Sequence, residues 1–305
     1  MSYVLEGIPD FVQNPRHLIG VPIAIVGAVF LSLGAQLQHR GVNKVEHNTQ
    51  GDAAKQGLNM GQLRALLARP SWVAGTLMLG LAIVLQLGAL TFSPLILVQP
   101  LGAIALVVTA IVNSRVSGVR LNRAAITAII ACVVGIGLFV GIAAQVGGEK
   151  PITNDKLITI LILLGVVLVV LGAMFLFFRK RARALFYIIS AGMVYGFVAT
   201  LAKVVISRVQ AGDFDPLTFI CVLGLLLGTG LGAYFVQNAY ASGPPDLVIA
   251  GLTVVDPMVA VAIGILVLGE ASGAPMIAIL GFIVAGAIAV WGVFHLARHH
   301  PQVAE

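Results

Sequence analysis

"LITILILLGVVLVVLGAMFLFF", residues 157–178, runs on without a single formal charge. As a helix it would be about 33 Å long, just enough to cross the hydrocarbon core of a bilayer. It is apolar on every side. A helix on a soluble surface keeps one polar face, so this one reads as a peripheral helix facing lipid.

The rest of the chain agrees with lipid. Its 305 residues are 59% hydrophobic and only 10% charged, with a mean hydropathy of +1.04, whereas soluble domains carry about 25% charge. Runs long enough to span recur at 18–38, 72–91, 95–113, 124–144, 184–206, 216–238, 247–268 and 275–296. With 157–178 they make nine. Helices satisfy their own backbone polar groups in lipid, and the weaker alternation of a membrane barrel is absent. The expected fold is therefore all-α, a polytopic membrane bundle of about nine transmembrane helices.

The net charge of +6 is not a nucleic-acid signature, because the basic residues fall mainly on one side of the spans. Thirteen of the eighteen Lys and Arg lie in alternate loops, among them "RKRAR" at 179–183. Four lie opposite (Arg16, Lys150, Lys156 and Arg208), and Lys203 is inside a span. The positive-inside rule then puts the N-terminus outside and the C-terminus in the cytoplasm of an inner (plasma) membrane protein. Residues 1–17 carry Glu6 and Asp10 and no basic n-region, unlike a cleavable leader. Cys132 and Cys221 fall within spans and read as small core residues.

The expected organisation is an extracytoplasmic segment 1–17, a first repeat of four spans over 18–144, a linking span 157–178, a second repeat over 184–296 and a cytoplasmic tail 297–305. Within the first repeat, 39–71 is the longest polar stretch. "HNTQGDAAKQG" (47–57) reads as a loop there, and "NMGQLRALLARP" (59–70) as a short helix lying on the membrane surface. The repeat shows in short matches. "GAVF" (27–30) answers "GMVY" (192–195), aligning Gln38 with Lys203. Gln86 precedes Pro94 by eight residues, as Gln237 precedes Pro245. Both pairings are five spans apart, and an odd offset inverts one copy relative to the other. Inverted repeats are common in secondary transporters, with the site at the repeat interface near midplane.

Two charges stand inside the spans, Lys203 and Asp256. Each costs about 2.5–3.5 kcal/mol to insert at a helix centre. Asp256 is too short to reach the interface, and Pro257 beside it withholds a backbone donor. Together they read as a polar notch on a transport path, with Asp256 also the candidate metal ligand. Lys203 either snorkels to the nearer interface or faces the path, as a partner for Asp256 or a receptor for an anionic group. Gln99 with Pro100 predicts a kink and an amide near the outer end of the third span. Gln36, Gln38, Gln86, Gln237, Tyr195, Tyr234 and Asn238 are candidate cavity-lining hydrogen-bond partners. Gly224, Gly228 and Gly232 form a packing stripe. His295 and His299 have metal-binding spacing but no third ligand in view.

No nucleotide loop, nucleophile triad or redox cysteine pair is present. Neither an enzyme nor a bound cofactor is expected, and nucleic acid is not an expected partner.

Three longer stretches carry a family likeness. "VLGEASGAPMIAILGFIVAGAIAVWG" (267–292) resembles the closing pattern of EamA-type members of the drug/metabolite transporter superfamily. "LGAQLQHRGV" (33–42) and "GALTFSPLILVQPLGA" (88–103) resemble the NIPA branch, associated with magnesium transport. The resemblance implies two inverted halves working by alternating access, with Mg2+ the leading named solute. It also matches Glu270 to the LGE glutamate, which the expected topology puts at the outer end of the eighth span, in a structural or interfacial role.

The expected function is thus secondary transport of a small polar solute or cation, with a proton or Mg2+ meeting Asp256. The alternatives are a flippase for an anionic or isoprenoid- or sugar-linked lipid, and a non-transporting scaffold subunit. Membrane lipid is the expected surrounding, and a homodimer the candidate assembly.

Overall fold

The computed structural model describes residues 19–48, 67–117, 122–178, 184–242 and 245–299. Among these residues the structure is helical, with no strand, and nine stretches are long and apolar enough to cross a membrane. The helices are α1 (Gly20–Asn48), α2 (Pro70–Phe92), α3 (Leu95–Leu101), α4 (Ile104–Ser117) and α5 (Arg123–Val146). They continue with α6 (Asn154–Phe178), α7 (Ala184–Ala211), α8 (Pro216–Ser242), α9 (Pro245–Ile263) and α10 (Met276–His299). The segment 1–17, most of the surface helix expected at 59–70, the basic run 179–183 and residues 300–305 lie outside the described residues.

Spans and helices differ in two places. Helix α1 does not stop at the polar boundary near residue 38 but continues to Asn48, so the first part of the expected loop 39–71 is helical. Hydropathy marks where lipid ends. Helix propensity decides where the helix ends, and the tail of α1 contains good formers in Arg40, Lys44 and Glu46. The third span is broken rather than merely kinked. Pro100 cannot supply an N–H, and α3 closes in tight turns from Gly102 to the Gln99 carbonyl and from Ala103 to that of Pro100 before α4 begins. By contrast α9 runs straight through Pro257. It loosens into a π-helical turn only at Gly264–Leu268 and ends at Gly269, whose φ of 74° is left-handed.

Side-chain size decides which helices touch most closely. Helices α5 and α10 approach most closely where their side chains are smallest. A Cβ on Gly135 would lie 2.5 Å from the Ala289 nitrogen, and one on Gly292 would lie 2.6 Å from that of Cys132. Helices α1 and α2 meet through Gly34 and Gly75 in the same way. The stripe Gly224, Gly228 and Gly232 on α8 receives Leu201, Val198 and the ring of Tyr195 from α7, so it packs helices together. Gly192 and Gly196 on α7 meet α9 at Val255, Asp256 and Val259. Without apolar–water contrast between helices, such close van der Waals contact is what holds a bundle together.

Helix α6 is peripheral. Leu157, Ile160, Leu164 and Leu171 are buried along one stripe, while Ile162, Val166, Val169 and Leu176 face outward. It leans on α7, α8 and the π-helical turn.

The α7–α8 connection is tied by charge. Buried Arg208 bonds Asp215 at 2.6 Å and Asp213 at 3.1 Å, and Asp215 caps α8 by accepting from the Thr218 N–H and hydroxyl. The bonds from Thr218, and then that from Arg208, hold the Asp215 carboxyl below its ordinary value.

Two outcomes are expected. Gly135→Ala and Gly292→Ala should each cost about 1–3 kcal/mol by overpacking, lowering the thermal unfolding midpoint in detergent. Gly137→Ala, whose Cβ meets nothing within 4 Å, should leave it unchanged. Because the folded state depresses the Asp215 pKa, its stabilisation is complete above the unfolded value of about 3.9. It is lost as the pH falls through the lower native value. Acid titration of the unfolding midpoint should show this loss in the wild type, and Asp215→Asn should flatten that limb.

Candidate functional site

The polar interior is built around the break between α2 and α3. A helix end leaves carbonyls without intrahelical donors, and a helix start leaves N–H groups without acceptors. At Ser93–Pro94 both kinds occur within a few residues. The Leu90 and Ser93 carbonyls accept from the Lys203 ammonium at 2.7 and 3.0 Å. The Leu95 and Ile96 N–H groups donate to the Glu270 carboxylate at 2.8 Å each. Glu149, from the α5–α6 connection, completes the group with a short ion pair to Lys203.

This cluster gathers the ends of α2 and α9, the start of α3, the body of α7 and the α5–α6 connection. Lys203 is 4% exposed and Glu270 3%. Gly264 makes room for the Glu270 carboxylate, since a Cβ there would stand 2.7 Å from Oε2. The Gly148 N–H donates to the Glu270 carbonyl at 2.7 Å, and Lys156 donates to the Leu268 carbonyl at 2.8 Å. A cavity of about 30 Å³ lies among Glu149, Lys150, Ile152, Lys203, Ser207, Leu268 and Glu270. That volume holds one or two waters. It is too small for a fully hydrated metal ion.

Asp256 stands apart. It lies midway along α9 on the face turned to Gly192 and Gly196, and Tyr195 is within its electrostatic reach. Its Oδ1 is sealed from the surface and has no hydrogen-bond partner. Buried polar atoms are normally paired, and an unpaired one costs about 1–3 kcal/mol.

The other residues singled out in the sequence scatter. Pro100 and Pro257 line one large cavity of about 540 Å³ between α3, α5, α9 with its π-helical turn, and α10. Its walls are apolar side chains such as Ile136, Phe139, Val261 and Phe282, with Thr253. Asp256, Gln99, Gln38, Gln86, Gln237, Tyr195 and Asn238 do not line it, so the expected polar seam is not the large void. Gln99 is 6% exposed. Gln38 donates to Thr76 at 3.2 Å and Gln36 to the Thr109 carbonyl at 3.2 Å. Gln86 is half-buried and Gln237 exposed. Tyr195 rests on Gly232, and Asn238 donates to the carbonyl of exposed Tyr234 at 2.7 Å.

Lys203 neither snorkels nor meets Asp256, because Glu149 and two carbonyls claim all three of its ammonium donors. The His295 ring stacks on Trp291 at 4.8 Å, and the side chain of His299 lies outside the described residues. Among the described residues no group of three or more His, Cys, Asp or Glu side chains is placed to hold a metal ion, so Asp256 belongs to none.

Two signals go unread in the sequence. Glu149 lies in "VGGEKP" (146–151), a connection with no periodicity. Only the need of buried Lys203 for an opposite charge points to it. The second is "VQPLGAIA" (98–105), which matches "VDPMVAVA" (255–262) and puts Gln99–Pro100 and Asp256–Pro257 in register.

The family model described as magnesium transporter NIPA matches residues 15–212. An uncharacterised protein of Corynebacterium glutamicum is 29% identical over 258 residues, covering 83% of this chain and 86% of its own length. The probable magnesium transporters NIPA1 and NIPA2 of Arabidopsis thaliana are 28% and 26% identical over 123 residues. That stretch is 40% of this chain and 35% and 34% of theirs. No solved structure matches.

Glu270→Ala should destabilise the protein by about 1–3 kcal/mol for each of the two N–H groups it orphans. Glu270→Gln keeps one acceptor and should cost less. Gly264→Ala should act in the same direction by displacing the carboxylate. Thermal unfolding in detergent ranks the three.

Proposed function

This chain belongs to the magnesium transporter NIPA family, and on that premise we propose that it moves a small cation, Mg2+ first among candidates, by alternating access of two inverted four-helix halves. The observation that carries this reading is the unpartnered Asp256 oxygen in the middle of a spanning helix. A scaffold gains nothing from a buried carboxylate left without a donor. A carrier uses it as the group that takes up and releases a cation or proton partway across.

The helix pairings support two related halves. Helix α1 packs on α2 and α4 as α7 packs on α8 and α9, while α5 meets α10. The matched Gln99–Pro100 and Asp256–Pro257 stretches support the same division, and α6 is the linking span that inverts the second half. With the N-terminus outside, the Lys203–Glu149–Glu270 cluster closes the outer end of a plasma-membrane carrier. A flippase for anionic lipid would need an unneutralised cation to hold the headgroup. Lys203 is already paired, so the cation reading is preferred.

Uptake into proteoliposomes of the full chain tests this, with Mg2+, amino acids and lipid-linked phosphates offered in turn. Mg2+ flux is expected, and Asp256→Asn should lower it at least tenfold while the unfolding midpoint holds or rises. Unchanged flux in that variant would refute the role of Asp256. Flux of another solute alone would replace Mg2+.

A further inference from the structure

The surroundings of the Lys203 ammonium are those of a metal cation. Three oxygens meet it: the carbonyls of Leu90 and Ser93 and a carboxylate oxygen of Glu149. The two carbonyls end α2, where the helix carries partial negative charge. The Glu270 carboxylate lies within electrostatic reach of the ammonium and borders the same small cavity. Hard cations take such oxygens, and Mg2+ is commonly held by one or two carboxylates while keeping several waters.

We propose that this is a divalent-cation site which Lys203 occupies as a tethered cation, and that an arriving divalent ion takes the place of the ammonium. The inference rests on the transport reading for its purpose, but its chemistry stands without it. The oxygen cage is fixed by the chain break at Ser93–Pro94 and by the α5–α6 connection, neither of which belongs to the lysine's own helix. Charge favours a divalent ion. With the ammonium withdrawn, the Glu149 carboxylate and two carbonyls remain at the site, and the Glu270 carboxylate, held by the Leu95 and Ile96 N–H groups, borders the same cavity. Lys150 lines the mouth but is exposed, and Lys156 is held by the carbonyls of Pro151 and Leu268. The adjoining cavity of about 30 Å³ takes the one or two waters that complete the shell.

The arrangement also gives a reason for the closed end. In the absence of an ion the lysine neutralises Glu149 and holds the α5–α6 connection against α7. An ion that displaces it frees Lys203 and loosens that tie.

The test reads binding, so it does not depend on which solute is transported. The unfolding midpoint of the purified full chain is followed against MgCl2, with NaCl at matched ionic strength as comparison. Lys203→Met should gain a saturable rise with Mg2+ of several degrees that NaCl does not give. Adding Glu149→Gln should abolish the gain. A Lys203→Met protein that responds to Mg2+ no more than the wild type, or equally to NaCl, overturns the proposal. Should that variant fail to fold, acylation of Lys203 in the wild type by a small amine reagent, read by mass spectrometry, decides. Mg2+ should raise its labelling severalfold, and unchanged labelling overturns the proposal. Loss of Mg2+ flux with Asp256→Asn bears on transport alone, so the two readings fail separately.

Discussion

A buried ammonium has to be surrounded by oxygen, and that requirement organises one whole end of this molecule. Taking a charge out of water costs several kcal/mol unless partners replace the water. Lys203 finds them where the chain leaves α2 and turns into α3, because the end of one span leaves carbonyls without donors and the start of the next leaves N–H groups without acceptors. The N–H groups on the other side need an anion, and Glu270 arrives from the end of α9 to supply it. Glu149 then balances the lysine from a third direction. One turn between two spans therefore recruits a cation, two anions and four helices.

The same economy appears in the apolar interior. Helices in lipid have little hydrophobic reason to associate, so their affinity depends on how closely backbones approach. Glycine and alanine set that distance at α5–α10, α1–α2 and α7–α9. Asp256 lies within the last of these contacts, where the absence of side chains on Gly192 and Gly196 brings α7 against its backbone. Its Oδ1 is sealed there without a partner, and Asp256 is not among the residues that line the apolar cavity beside Pro257.

Much of the architecture is legible in the chain, because crossing a bilayer demands a length and an apolarity that few other structures share. The nine spans, the peripheral character of α6 and the glycine stripe of α8 can be read that way, and Pro100 marks a kink though not the full break that follows it. The extension of α1 to Asn48 could not, since the hydropathy that marks the membrane boundary carries no information about helix propensity beyond it. The site was legible only in part. Lys203 and Asp256 stand out by cost, and Glu270 by its family pattern. Which charges meet is a matter of three-dimensional placement, and Glu149 sits in a connection that no periodicity marks. The expectation that proline and aspartate together open a notch overlooked how α9 could run through Pro257 and leave its loosened turn for Gly264–Leu268.

The near-bare crossing of α5 and α10 has a mechanical consequence. Interlocked side chains act like gear teeth and must disengage before helices rotate. At its closest point, made by Gly135, Ala285, Ala289, Gly292, Ala128 and Cys132, the contact has hardly any teeth, and the large side chains engage only farther along, where Phe139 meets Phe282 and Ile142 lies over Gly281. A swing of about ten degrees around such a bearing carries the tips of a 24-residue helix through about 3 Å. That displacement is close to the diameter of one water molecule, the scale on which a sealed opening in a membrane becomes a leaking one.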